Sequence, residues 1–423
     1  MHVSFIKNET KVVVLVLLCS LGIRILLFPV QGCLTDLSTF GAWFHAAAEN
    51  SPHLFYEVVS WCDYPPFNVY IFWVFGSLAK WFSLFGTSSL VYAIKLPSNL
   101  FDLATAFLIF IFLRRTLNFN SSLLATSFYA FNPATIFNTS VWGQYDAIYT
   151  FFLILSLILI LASKPKLSVI AFTVGVLAKP QSIALAPLIV FLIVRKHGWK
   201  GIVTSALVSA AVVLIVTVPL KLSDPFGLLV NIYLKGYRGY PYTSLNAFNL
   251  WAFNGFWKSD AQTFLFLDFF KIGWIMFGAV TAFSLYYLHK RFHYSKEVPV
   301  LFSAFVLLFA FFMLPTRIHE RYLFPVFAVL ALMLPFLKET RPIYGVLTFT
   351  YLANLAYVLP FLNSGRNIPD GDPFVWIIAL INLVAFAYTL FLMVKGLKAA
   401  KSQVGVNHIK SWWILLSVSG NAH

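Results

Sequence analysis

The chain of 423 residues carries a net charge of +15 and is 60% hydrophobic, with 11% charged residues and a mean hydropathy of +0.82. A chain this apolar has too little polar surface to cover a water-soluble fold, so its bulk is embedded in lipid. The apolar runs are continuous rather than alternating, which selects helices over a barrel. The basic excess sits at span ends and in short loops with no aromatic-interleaved stripe, so the partner it implies is a lipid bilayer and not a nucleic acid.

In chain order, the apolar runs predict helical spans near 11–30, 66–84, 92–113, 121–140, 145–163, 166–178, 181–195, 201–220, 262–289, 298–315, 322–337, 342–361 and 374–395. That is an all-α, polytopic chain with about 11–13 crossings in a single domain over 1–395, followed by a basic tail at 396–423. The first run, Val12 to Val30, is longer than a signal-peptide core and lacks an Ala-x-Ala site, so it reads as a retained helix. Loop 31–65 holds four carboxylates (Asp36, Glu49, Glu57, Asp63) and no Lys or Arg, which places it outside the cytoplasm by the positive-inside rule. Within it, Asp36–Glu49 reads as a helix with Leu37, Phe40, Trp43, Phe44 and Ala47 on one apolar face, suited to lying in the membrane interface. Cys33 and Cys62 flank this loop, where a disulfide is permitted. Two crossings after the loop would put Arg114–Arg115 outside as well, so either that pair has an anionic partner or one run is a re-entrant hairpin.

Further along, runs 166–178 and 181–195 are short and interrupted by Pro180 and Pro187, as half-membrane elements lining a cavity would be. A second long connection, 221–260, is rich in Tyr and Trp, including Tyr240 and Trp257, and reads as an interfacial belt or a sugar-stacking surface. No internal repeat is evident, and Trp412–Val418 is too short to span and is expected on the surface.

Asp36 directly follows the first span, either as the N-cap of the next helix or as a carboxylate able to take a proton from a hydroxyl. Asp63, ahead of Tyr64-Pro65-Pro66, is expected to cap the next helix. In Trp142-Gly143-Gln144-Tyr145-Asp146, Asp146 is either a cap or a functional acid at the membrane boundary, and Asp102 and Asp268 raise the same question. The densest polar cluster is Thr316–Pro325, where a helix would set Arg317 and Arg321 on one face with Glu320 pairing either. Such a cluster binds phosphate or simply snorkels, and Lys179, between the two short runs, adds a cation. There is no phosphate-binding Gly-rich loop, zinc spacing or nucleophile elbow, so no cofactor is expected, with a divalent metal left open.

Asp36, Phe55-Tyr56, Asp63-Tyr64-Pro65-Pro66, Asn132-Pro133, Trp142–Asp146, Ala178-Lys179-Pro180-Gln181, Asn246–Trp251 and His319–Pro325 occur here in one order over residues 30–330. In that order they resemble the GT-C superfamily of integral-membrane glycosyltransferases. The look is nearest to the dolichyl-phosphate-glucose glucosyltransferases and their prokaryotic relatives. The resemblance implies an inverting hexosyltransferase. Its donor would be a polyprenyl- or dolichyl-phosphate-linked sugar, its acceptor a hydroxyl of a lipid-linked glycan or other envelope glycan. The site would open on the outer or luminal face of the cell membrane, or of the endoplasmic reticulum in a eukaryote. It further implies Asp36 as catalytic base, with His319, Arg321, Arg317 and Lys179 at the donor phosphate. Asp63, Tyr64, Gln144, Tyr145, Asp146 and Glu320 would complete the substrate pocket. Asp146 stands where many eukaryotic members carry Asn. The rival readings are a transporter or flippase using Asp102, Asp146 and Arg321, and an O-antigen-type polymerase or ligase. The transferase reading requires Asp36 to share a cavity with residues 319–321.

Overall fold

The computed structural model describes residues 2–292 and 297–418, with side chains described over 8–292 and 297–398. Its helices are α1 (His2–Leu27), α2 (Leu34–Val58), α3 (Phe67–Trp81), α4 (Leu90–Arg114), α5 (Phe119–Ala130), α6 (Pro133–Ile136), α7 (Asp146–Leu161) and α8 (Pro165–Ala178). They continue with α9 (Ala186–Thr217), α10 (Pro225–Gly239), α11 (Phe269–Arg291), α12 (Glu297–Met313), α13 (Pro325–Met333), α14 (Thr340–Ser364) and α15 (Pro373–Val418). The strands are two residues each: β1 (Ser244–Leu245), β2 (Thr263–Phe264), β3 (Leu267–Asp268) and β4 (Ile318–His319).

A helix stands at every predicted apolar run. Among the described residues six stretches are long and apolar enough to cross a membrane: Asn8–Leu27, Leu90–Arg114, Pro180–Thr217, Phe269–Arg291, Thr340–Ser364 and Pro373–Lys398. Asp146–Leu161, Pro165–Ala178 and Glu297–Met313 are shorter apolar helices. The protein is thus an all-helical, multi-pass membrane protein. Helices α12 and α13 are buried on every face, as an all-round apolar helix requires, and form the centre of the bundle. The long α9 is broken at Gly198 (φ 56°, ψ −150°), so it is two helices, as the separate runs at 181–195 and 201–220 imply. Run 121–140 instead divides into α5, α6 and a π-helical turn, Phe137–Trp142, because Pro133 cannot continue a helix.

Both answers offered for Arg114–Arg115 find support: Arg114 has an anionic partner in Glu9, and one run folds back on its neighbour. Near the start of α4, Lys95 Nζ donates to the carbonyls of Phe28 (2.8 Å) and Val30 (3.0 Å), just beyond the end of α1. At the other end of α4, Arg114 pairs with Glu9 near the start of α1 (3.2 Å). So α1 and α4 run antiparallel, and the whole stretch from Leu34 to Ser89 lies at one end of both. Helix α3, at 15 residues, does not cross between them. Instead it folds back on α2, where Lys80 meets Glu49 (2.7 Å).

The helix expected in loop 31–65 is present and longer, breaking at Ser51 (φ 64°) ahead of Pro52. Its apolar stripe does not face lipid: Phe40, Trp43, Phe44 and Ala47 are buried against the chain itself. Phe40 stacks on Tyr145 (4.5 Å, 4°) and packs with Trp43, Tyr64 and Phe72. Cys33 and Cys62 are free thiols rather than a disulfide. The basic tail continues α15 as backbone to Val418; the surface position expected of Trp412–Val418 concerns side chains outside the described residues, as are 419–423.

Candidate active site

Two distant loops are joined by a minimal sheet. β1 pairs in parallel with β4, Ser244 opposite Ile318 and Leu245 opposite His319, and Arg317 N donates to Tyr242 O (2.9 Å). The segment 314–324 is therefore extended and turned, not helical, and Arg317 holds a positive φ of 64°. This overturns the shared face expected for Arg317 and Arg321. Arg317 turns away to Asp260 (Nε to Oδ2, 2.7 Å) and to Tyr237 O (2.7 Å), sandwiched by the rings of Tyr237 and Phe270. Of the two arginines Glu320 pairs only with Arg321 (2.7 Å), and His319 Nδ1 lies 3.8 Å from its other oxygen.

Asp36 lies in the first turn of α2, but the cap position is Cys33 and no side chain caps the helix. Its carboxylate is instead held from a second segment: Trp142 Nε1 donates to Oδ2 (2.8 Å) and so does Gln144 Nε2 (2.5 Å). Tyr64 OH donates to Gln144 Oε1 (3.1 Å). The approach of the two segments depends on small residues. A side-chain carbon on Gly32 would sit 2.4 Å from Val141 O and 2.5 Å from Trp142 O, and Gly143 turns the chain at φ 92°.

Asp36 lines a polar cavity of about 220 Å³ together with Asp63, Tyr64, Gln144, Tyr240, His319 and Arg321. Cys33, Trp61, Asn246, Trp257 and Glu320 share its wall. A second cavity of about 450 Å³ adjoins it, with Asp63, Tyr64, Tyr240, His319 and Arg321 as common wall. Its lining is mostly apolar and extends to Ile183, Leu234 and Trp274, which are exposed on the helix surfaces. Lys179 and Arg317 also border it.

The charges in this wall are mutually stabilised. Burial alone would raise the Glu320 carboxyl, yet Arg321 and His319 hold it at about 2. Burial, followed by the Arg321 charge, lowers His319 below its usual range, so its ring favours the neutral form. Asp63 is raised, chiefly by burial, against the opposing pull of Arg321. The Nε of Arg321 is buried and without a partner among the described residues, a donor aimed at no protein group. Among the described residues no three His, Cys, Asp or Glu side chains form a metal-binding group.

The remaining expected residues sit behind the cavities or elsewhere. Asp63, by contrast, is on the wall of both cavities, but it does not cap α3, which begins without a side-chain cap. Asp146 is not a cap and lines neither cavity: it is fully buried, pairs with Lys179 Nζ (2.5 Å) and accepts from Asn138 (3.2 Å). Tyr145 also lies beneath the site, its hydroxyl donating to Ile94 O (2.8 Å). Asp102 is sealed by Arg24 (2.7 Å) and by the Tyr129 hydroxyl, and lines neither cavity. Asp268 is a plain cap, accepting from Lys271 N (2.7 Å). Residues not picked out as site candidates are Trp142, Trp61, Asn246, Tyr240 and Trp257. The aromatic density of 221–260 was the signal for the last two. Trp142 and Asn246 stand in motifs quoted above but with no role assigned, and nothing in the sequence marked Trp61.

No family model matches this chain, and no curated protein matches it. Among solved structures it is similar to the crystal structure of the Archaeoglobus fulgidus oligosaccharyltransferase in the apo form, at 13% identity and a TM-score of 0.41. The match covers 93% of this chain and 56% of that one, so the chain spans little more than half that protein's length.

Proposed function

We propose that this protein is an inverting glycosyltransferase of the GT-C kind. It moves a hexose from a polyprenyl-phosphate sugar to a glycan hydroxyl at the outer or luminal membrane face. One observation carries the reading. Asp36 and Arg321 line a single polar cavity, and that cavity shares a wall with an apolar one reaching apolar side chains exposed on the helix surfaces. A lipid-linked donor needs this arrangement, because its chain stays in hydrocarbon while its sugar enters a polar chamber.

In the reaction, the acceptor hydroxyl gives its proton to Asp36 and its oxygen attacks the anomeric carbon from the face opposite the phosphate. The bond from that carbon to the phosphate oxygen breaks, and its electron pair stays on the oxygen. A monoanionic phosphodiester thus leaves as a phosphate monoester with greater negative charge, and the anomeric centre is inverted. The leaving phosphate is a weak base, so no carboxylic acid is required to protonate it, unlike glycoside hydrolysis. What it requires is positive charge. Arg321, with Nε uncommitted, and Lys179, on the apolar cavity's wall, supply it. Both cations are held in place by carboxylates, Arg321 by Glu320 and Lys179 by Asp146. Arg317, committed to Asp260, has a lesser part.

The test is transfer of radiolabelled sugar from polyprenyl phosphate to glycan acceptors by the purified protein in liposomes. Asp36→Asn is expected to lower the rate about 10²–10⁴-fold, the usual worth of a general base. A wild-type rate in that variant would overturn the reading.

A further inference from the structure

We propose that Trp142 and Gln144 are positioning residues for the Asp36 carboxylate, with Tyr64 setting the orientation of the Gln144 amide. This rests on the reading of Asp36 as the base and assigns Gln144 a role other than substrate contact.

The geometry is directional. An amide side chain can present either its oxygen or its nitrogen to a neighbour. Here the Tyr64 hydroxyl donates to Gln144 Oε1, so the NH2 group is turned toward Asp36. Trp142 Nε1 donates to the same carboxylate oxygen, Oδ2, and no described group donates to Oδ1. One oxygen is therefore pinned, and the other is left to accept the proton of a substrate hydroxyl. The holders are themselves rigid. Trp142 is 0% exposed and Gln144 1% exposed. The π-helical turn ends at Gly143, and Ser98 Oγ donates to Gln144 O (2.6 Å). A carboxylate held by two donors on its far oxygen loses no rotamer freedom when the substrate arrives.

The groups that also face Asp36 must be counted in any test by pH. Cys33 lies at the start of its own helix, and Asp63 and Tyr64 come from the loop before α3. His319, Glu320 and Arg321 come from the β4 segment, and Tyr240 from the end of α10. Lys179 acts from a greater distance.

Both donors favour the ionised carboxylate, so losing one makes Asp36 easier to protonate. The variants are Gln144→Met, which keeps the length of the side chain, and Trp142→Phe, which keeps most of the ring. Each is expected to move the acid limb of the kcat/KM profile upward by about one pH unit. Activity then falls more at pH 6 than at pH 8. Tyr64→Phe shifts it the same way by less, since the amide remains but is free to rotate. A loss of rate by one constant factor at all pH values, with the limb unmoved in both variants, overturns the proposal. A second readout needs no turnover: the Asp36 carboxylate band in isotope-edited infrared spectra, assigned by difference against Asp36→Asn, is titrated in wild type and Gln144→Met. If the band titrates higher in the variant while no sugar transfer is found, positioning stands and the transferase reading falls. If transfer is found and the titration is unchanged, the reverse holds.

Discussion

Fully buried Arg24 commits its guanidinium to Asp102, Ser20, Asn99, Thr139 and the Ala130 carbonyl, none of which lines either cavity. Breaking a buried pair strands a charge, so Asp102→Ala is expected to cost about 3–5 kcal/mol. Thermal unfolding in detergent, compared with the double variant Arg24→Met/Asp102→Leu, checks this, the double being the milder change. Two groups near the cavity set the response to acid. Glu320 is held at about 2 against an ordinary 4.5, so its stabilisation is complete above pH 4.5 and is lost as pH falls from there toward 2. His319 is lowered from 6.5, so below that pH the unfolded chain binds a proton that the folded one resists. Both act in the same direction. Asp63, raised by burial, opposes them in part, since the folded chain takes up its proton first. The unfolding midpoint should still fall from pH 7 to pH 4, and His319→Gln should flatten the upper half of that slope. An unchanged slope in that variant would show the ring to be protonated in place. The Glu320–Arg321 pair was expected from sequence, though on a helix, whereas the Arg24–Asp102 pair could not be read from it. Arg24 lies in an apolar run, and its acid is 78 positions away.

At the scale of elements, what was legible was periodicity. The spacing of Phe40, Trp43, Phe44 and Ala47 marks one face of a helix wherever that face ends up. It does not say whether lipid or protein covers it, because both are apolar solvents for such a stripe. Here α3 and the rings around Tyr145 cover it. The mistaken helix at 316–325 has a matching cause: an i,i+4 pair of arginines is a pattern, and a parallel pairing with a strand some 70 residues earlier outweighs it. Gly32 is the point where the elements of the site depend on one missing methyl group. Gly32→Ala would force the backbone of Val141 and Trp142 off the start of α2. It is expected to lower transfer more than tenfold with only a modest fall in unfolding temperature, of the kind a loop shift produces. A normal transfer rate in a folded Gly32→Ala protein would show that the approach of the two segments is not needed.

For the molecule as a whole, the placement of α3 makes a topological prediction. Single cysteines introduced at Ala48 and Ser88 should react with a membrane-impermeant maleimide from the same side, and cysteines at Thr116 and Ser163 from the other. Labelling of position 88 from the opposite side to position 48 would restore α3 as a crossing. The native Cys33 should contribute little background, since burial, with Asp36 nearby, pushes its thiol up to about 12. Composition and run length determined by themselves that this is a helical membrane protein, because lipid leaves a backbone no other economical way to satisfy its polar groups. Motif order brought Asp36 and the His319–Arg321 cluster under suspicion together. Only the tertiary structure decided that they face one chamber, that Gln144 and Trp142 grip the carboxylate, that Arg317 is committed to Asp260 at the edge of the second cavity, and that Tyr145 and Asp146 lie behind the walls. The reason is that hydrophobicity is summed along a chain, whereas each hydrogen bond and ion pair here is closed between segments that only packing brings together.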